Sequence, residues 1–262
     1  MPYTIIINPE YELNLPAMES GETRVFHAKV EGIVAPHIVL EEKGTIWFDE
    51  KQEILSVSRI AGLNGGSTVT RKVRGPFVVD GKIDGGSRVD ITATEDISVS
   101  GRIDGGSHVT LHAGGNVLIS GNIDGGSHVT LHADGNVLID GMIVTHSSVV
   151  VVEAAGDITV QGKIDGGCTV RLRASRHIRI GGKIDRGSTR VRARAGGNLT
   201  CNGDIGGGCE VWLRAANDLT IDGKINRKTK VHYFSGGAVR HGRLKGSARF
   251  ELLPAEPTAE EN

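Results

Sequence analysis

Apolar and polar residues alternate along most of this chain, in two short bursts for every twenty residues. In the segment running from Gly101 to Ser120 the apolar places are Ile103, Val109, Leu111, Ala113, Val117 and Ile119. A period of two predicts strands, because successive side chains of an extended chain point to opposite faces. Between the bursts stand Gly105-Gly106 and Gly114-Gly115-Asn116, which predict turns. The pattern then starts again at Gly121.

The repetition is regular. Gly62, Gly81, Gly101, Gly121, Gly141, Gly162, Gly182, Gly203, Gly223 and Gly242 open successive copies, 19 to 21 residues apart. A fixed period near twenty means a solenoid, in which each coil buries its apolar face only against its neighbours. With the opening glycine as position 1, positions 3, 9, 11, 13, 17 and 19 predict interior columns. Position 7 predicts a column of small polar residues: Ser67, Ser87, Ser107, Ser127, Ser147, Cys168, Ser188, Cys209 and Thr229. These either hydrogen-bond along the axis or close the turn. The extra residue of each 21-residue coil is expected in the turns at Ser147-Ser148-Val149 and Ser188-Thr189-Arg190.

The expected fold is all-β: a single-stranded right-handed parallel β-helix (β-solenoid) with about 20 residues per coil and an N-terminal β cap. Residues 1–58 lack the repeat, hold Pro9, Pro16 and Pro36, and are read as the cap over an open strand edge. Residues 59–250 are read as about ten coils. Residues 251–262 are read as an acidic disordered tail.

Composition agrees with a thin β architecture. The chain has 262 residues, 38 of them glycine, and only 4% aromatic. Three cysteines do not make a disulfide framework. No apolar run approaches the ~20 residues of a membrane span, which predicts no transmembrane segment. Met1-Pro2-Tyr3-Thr4 has no basic n-region and Ile5 to Ile7 is too short for a signal core, so a cytoplasmic location is expected.

Four groups of residues invite a chemical reading. Asp84, Asp104, Asp124, Asp165 and Asp185 share position 4. Stacked carboxylates can bind calcium, but beside Gly-Gly they are expected to cap the turn, with Lys82, Arg102, Lys163 and Lys183 nearby to neutralise them. His108 and His128 share position 8, and His112 and His132 share position 12. Each pair could share a metal, yet no cysteine or carboxylate is expected in those columns, so surface ladders are favoured and no cofactor is expected. Cys168 and Cys209 share a column two coils apart, ~9.6 Å at the strand spacing, beyond disulfide reach. With Cys201 they are expected to be reduced core residues. Trp212, outward at position 10, could stack on a sugar ring, although packing is the commoner role.

The segments Gly-Lys-Ile-Asp-Gly-Gly at 81 and 162, alternating with Val-x-Leu-x-Ala, resemble two families. Bactofilins are cytoplasmic β-helices that polymerise end to end without nucleotide. Filamentous-haemagglutinin-type adhesins carry repeats similar to Val-Thr-Leu-His-Ala-Gly-Gly-Asn-Val. The likeness runs over roughly residues 60 to 245. It implies a β-helix with no catalytic centre, and the bactofilin likeness implies self-association.

The net charge of −1 hides a split. Residues 1–162 carry 11 Lys and Arg against 21 Asp and Glu, residues 163–250 carry 19 against 6, and the last twelve carry four Glu. Such asymmetry speaks about partners. Arg171, Arg192 and Trp212 fall at position 10, and Arg173, Arg194 and Arg214 at position 12, both outward. An arginine ladder repels itself, so an anionic ligand, the acidic half of another copy, or the acidic tail is expected to relieve it. Aromatic interleaving for stacked bases is nearly absent, which argues against sequence-specific nucleic-acid recognition. The first reading is a non-enzymatic, homo-oligomeric scaffold. The alternative is a binding module whose basic sheet holds an anionic polymer, with a polysaccharide-active enzyme third.

Overall fold

The computed structural model describes residues 3–8, 11–15, 24–26, 29–30, 33–34, 38–40, 46–48, 59–144 and 148–255. Among these there is no helix, and so none long and apolar enough to cross a membrane. The strands before residue 59 form small antiparallel sheets of their own.

From Arg59 onward the chain winds as a parallel β-solenoid of about twenty residues per coil. From Arg88 to His241 each coil contributes one six-residue strand, such as His108–Ala113, and one three-residue strand, such as Val117–Ile119. The six-residue strands stack into one ten-stranded parallel sheet and the shorter ones into another. A third wall, invisible as a strand in sequence, is a single-residue bridge ladder at position 3, running from Ile83 through Ile103 and Ile123 to Leu244. Nine steps of ~4.8 Å make each sheet about 43 Å long.

The expected interior columns are the core. Ile103, Val109, Leu111, Ala113, Val117 and Ile119 are all buried, as are their equivalents in the neighbouring coils. In the long strands from Thr68 to Ala195 burial alternates, as the period of two requires. One residue in the interior columns is charged. Arg71 pairs with Ile91 in the interior column at position 11 of the first complete coil and is buried. Burial pushes its guanidinium down to about 10, since desolvation disfavours the charged form.

The turns are built by side chains. Ser87, Ser107 and Cys168 donate to the carbonyls of Asp84, Asp104 and Asp165 at 2.6, 2.7 and 2.9 Å and so close their turns, whereas Cys209 Sγ reaches the Arg186 carbonyl of the coil below at 3.7 Å. In the two 21-residue coils the buried place of the position-7 column is taken by Ser148 and by Thr189, the latter instead of the exposed Ser188. Thr189 donates to the Asp185 carbonyl at 2.8 Å. The extra residue therefore lies inside the turn, as expected, but ahead of the buried site. Ser147 itself is outside the described residues. The carboxylates at position 4 cap the same turn: Gly85, Gly105 and Gly125 each donate their N–H to the preceding aspartate at 2.6 Å. Lys82, Arg102 and Lys163 ion-pair with Asp84, Asp104 and Asp165. The bond from Lys82 is the main reason the Asp84 carboxyl lies below the usual range.

A second device runs along the axis. At position 16 each side chain accepts the backbone N–H of its counterpart one coil on. The line passes from Asp96 through Asn116, Asn136, Asp157, His177, Asn198 and Asp218 to the N–H of Ala238, at 2.6 to 3.2 Å. These residues satisfy turn N–H groups that the strand ladders leave unpaired. His177 accepts through Nδ1, so its proton sits on Nε2.

Candidate functional site

Register in the long sheet decides which outward residues meet. Arg171 pairs with Arg192, which pairs with Trp212 and then His232. Two positions along, Glu153 pairs with Arg173, followed by Arg194, Arg214 and Phe234. The six residues expected to form a basic face, Arg171, Arg173, Arg192, Arg194, Trp212 and Arg214, are all brought together. With Val151 and Glu153 they line a groove of about 170 Å³ on the outer surface of the sheet. A second hollow adjoins it, lined by Arg173, Arg194, Arg214, Phe234 and Ala255.

The charge in this groove is poorly compensated. Among the described residues Arg171, Arg173, Arg192 and Arg194 have no ion-pair partner. Like charges directly opposite one another in a sheet destabilise it. Glu153, level with Arg173, is turned toward His132 instead, with Oε2 3.3 Å from Nδ1.

Two members of the face behave differently from their outward pattern. Arg214 is only 7% exposed. Its guanidinium reaches over the ring of Phe234 and donates to the carbonyls of Pro254 and Ala255 at 2.9 and 3.2 Å. Nothing in the repeat foretells this contact, which joins residues forty positions apart. Trp212 has no free face for a sugar. Arg192 lies 4.8 Å from its ring centroid, and the His232 ring, from the next coil of the ladder, stacks on it at 5.4 Å. Residues stacked along a β-solenoid cover one another's faces and offer only edges outward, so Trp212 is a packing residue.

The histidine ladders are present. His108 and His128 stack at 4.9 Å with rings 2° from parallel, and His112 and His132 lie 5.7 Å apart. The expectation that no carboxylate shares their columns is overturned. The extra residue before Ser148 moves Glu153 into register with His132. No group of three or more His, Cys, Asp or Glu side chains is placed to hold a metal among the described residues. The three cysteines are free and buried. Burial pushes the thiols of Cys168, Cys201 and Cys209 up to about 11, 12 and 12, which leaves them un-ionised and poorly nucleophilic at neutral pH.

The C-terminal end of the solenoid is a second feature. Val239–His241 and Arg249–Leu252 are the edge strands of the two long sheets. The interior columns reach this end uncovered: Leu244 tops the bridge column at 41% exposure, Val239 the short-strand column at 37%, and Leu252 column 11 at 71%. Phe250 is shielded by stacking on Tyr233 at 4.0 Å.

The haemagglutinin repeat family matches residues 63–127 and 117–162. Over that stretch the coils are similar to the haemagglutinin repeat. No curated protein and no solved structure matches the chain. The haemagglutinin-repeat segment ends where the acidic half ends, and the arginine groove lies in the coils beyond it.

Proposed function

We propose that this haemagglutinin-repeat β-helix is a non-enzymatic scaffold that associates with further copies of itself through its C-terminal coil. The observation that carries the reading is the uncovered end just described: three apolar columns and two strand edges stop without a lid among the described residues. Open edges template further strands, and the exposed apolar column ends gain by burial. A second C-terminal end is a poor partner, because Arg240, Arg243, Lys245 and Arg249 would face themselves. The acidic N-terminal part of the next copy suits it better, which makes the assembly head-to-tail and open-ended, as a bactofilin-like role in the cytoplasm requires.

Such stacking rests on backbone pairing and apolar contact, so it should persist as salt rises. Sedimentation velocity between ~0.01 M and ~1 M salt, where the Debye length falls from about 30 to 3 Å, tests it. The expected result is a salt-resistant oligomer that Val239→Lys, Leu244→Lys and Leu252→Lys together reduce to monomer. An oligomer that dissolves with salt would replace this reading with lateral pairing of acidic and basic halves. A monomer under all conditions would remove both.

A second reading is favoured by the four uncompensated guanidinium groups: the groove holds a linear anionic polymer through charge alone. Replacing Arg171, Arg173, Arg192 and Arg194 by Gln should abolish retention on a polyanion column at low salt while leaving the circular dichroism unchanged, because all four point outward. Arg214 is left in place, since it holds the chain at Pro254. Wild-type protein that passes the column unretained would end this reading.

A further inference from the structure

The arginine groove has an occupant within reach on the same chain. Arg214 already grips the backbone at Pro254 and Ala255, and Ala255 forms part of the wall of the hollow that Arg173, Arg194 and Arg214 share. The next residues are Glu256-Pro-Thr-Ala-Glu260-Glu261-Asn262. We propose that this acidic segment is the resident ligand of the groove, lying along the position-12 ladder with its glutamates against Arg194 and Arg173.

Reach, charge and anchoring all agree. From Arg214 to Arg173 is two steps of ~4.8 Å, whereas seven residues extend to about 23 Å. Arg173 and Arg194 are exposed and without carboxylate partners among the described residues, and the segment supplies three carboxylates. The hydrogen bonds from Arg214 fix the two residues just before it, Pro254 and Ala255, at the foot of the ladder, so ordering the segment costs less than capturing a free peptide. Tethering gives such a segment an effective concentration in the millimolar range, which makes it a built-in competitor for any external polyanion. The proposal stands apart from both functional readings, since the tail fills the groove whether or not a polymer ever does.

Nitroxide labels at Thr130→Cys and Ala259→Cys test it by electron–electron distance measurement on the full chain. Thr130 is outward and exposed on the same sheet, and the native thiols are too buried to react. At low salt a narrow distance distribution is expected, broadening with Arg173→Gln and Arg194→Gln and at ~1 M salt. A distribution as broad at low salt in the parent as in the Arg variant would overturn the proposal. So would a distance that vanishes on dilution with unlabelled protein, because the tail would then sit on a second copy. As a separate readout, ending the chain after Ala255 should tighten binding of inorganic polyphosphate about tenfold or more; binding that is measurable yet unchanged by truncation would also count against the tail. If no form binds polyphosphate, the polymer reading fails and the narrow distance alone carries the tail.

Discussion

Gly121→Ala should cost about 4 kcal/mol or more of unfolding free energy, while Gly106→Ala, fifteen residues earlier, should cost about 1–2. The two glycines exist for different reasons. At Gly121 an added Cβ falls within 3.0 Å of the Gly101 carbonyl group and the Arg102 nitrogen in the coil below. Those atoms are backbone held by the inter-coil ladder, so relief requires the coils to separate. The same closeness recurs at Gly101, Gly141, Gly162, Gly182, Gly203 and Gly223, a column in which backbone packs on backbone. Gly106 has φ of 74° with nothing within 4 Å of the added atom, so alanine there meets only the left-handed strain. That this strain is bearable is shown by Arg186 and Lys228, which adopt φ of 67° and 64° in equivalent turns. Urea unfolding followed by far-ultraviolet circular dichroism checks the ranking. Equal losses for the two variants would contradict it.

Leu111→Asp should be comparably damaging. Leu111 is fully buried, between Ile91 and Leu131 in the ladder. An aspartate there either buries a charge or binds a proton well above its usual pKa, and each route costs several kcal/mol. Thr130→Asp is the control: exposed and on the opposite face, it should shift stability by no more than about 0.5 kcal/mol. Soluble, cooperatively folding Leu111→Asp protein of parental stability would mean that column 11 is not interior.

The same ladder explains why the basic face is legible in the sequence while its details are not. Arg171, Arg173, Arg192, Arg194, Trp212 and Arg214 can be placed on one face by counting, because in a parallel solenoid equal positions stack. Counting fails only inside the turn of a coil that has an extra residue; beyond the turn the register resumes, which is how Arg192 and Arg194 fall on the face. Ser148 for Ser147 and Thr189 for Ser188 are one error repeated, since the number of residues in a turn does not say which of them turns inward. Glu153 beside His132 follows from the same count that places Arg194 and was legible in the sequence. The burial of Arg214 and the blocked faces of Trp212 are beyond counting altogether. Both depend on where long side chains lean and on what the chain does after its last coil.

The sequence by itself determined the coil length, the inward and outward positions and the split of charge, because a period of two and a period of twenty each admit one periodic arrangement of a β chain. Tertiary structure decided what those positions meet. It made position 3 a wall of its own, and turned the position-16 side chains into acceptors for the coil above. It also made the opening glycines indispensable through contact rather than conformation. The physical reason is that each of these depends on distances between successive coils, and such distances exist only once the coils are stacked.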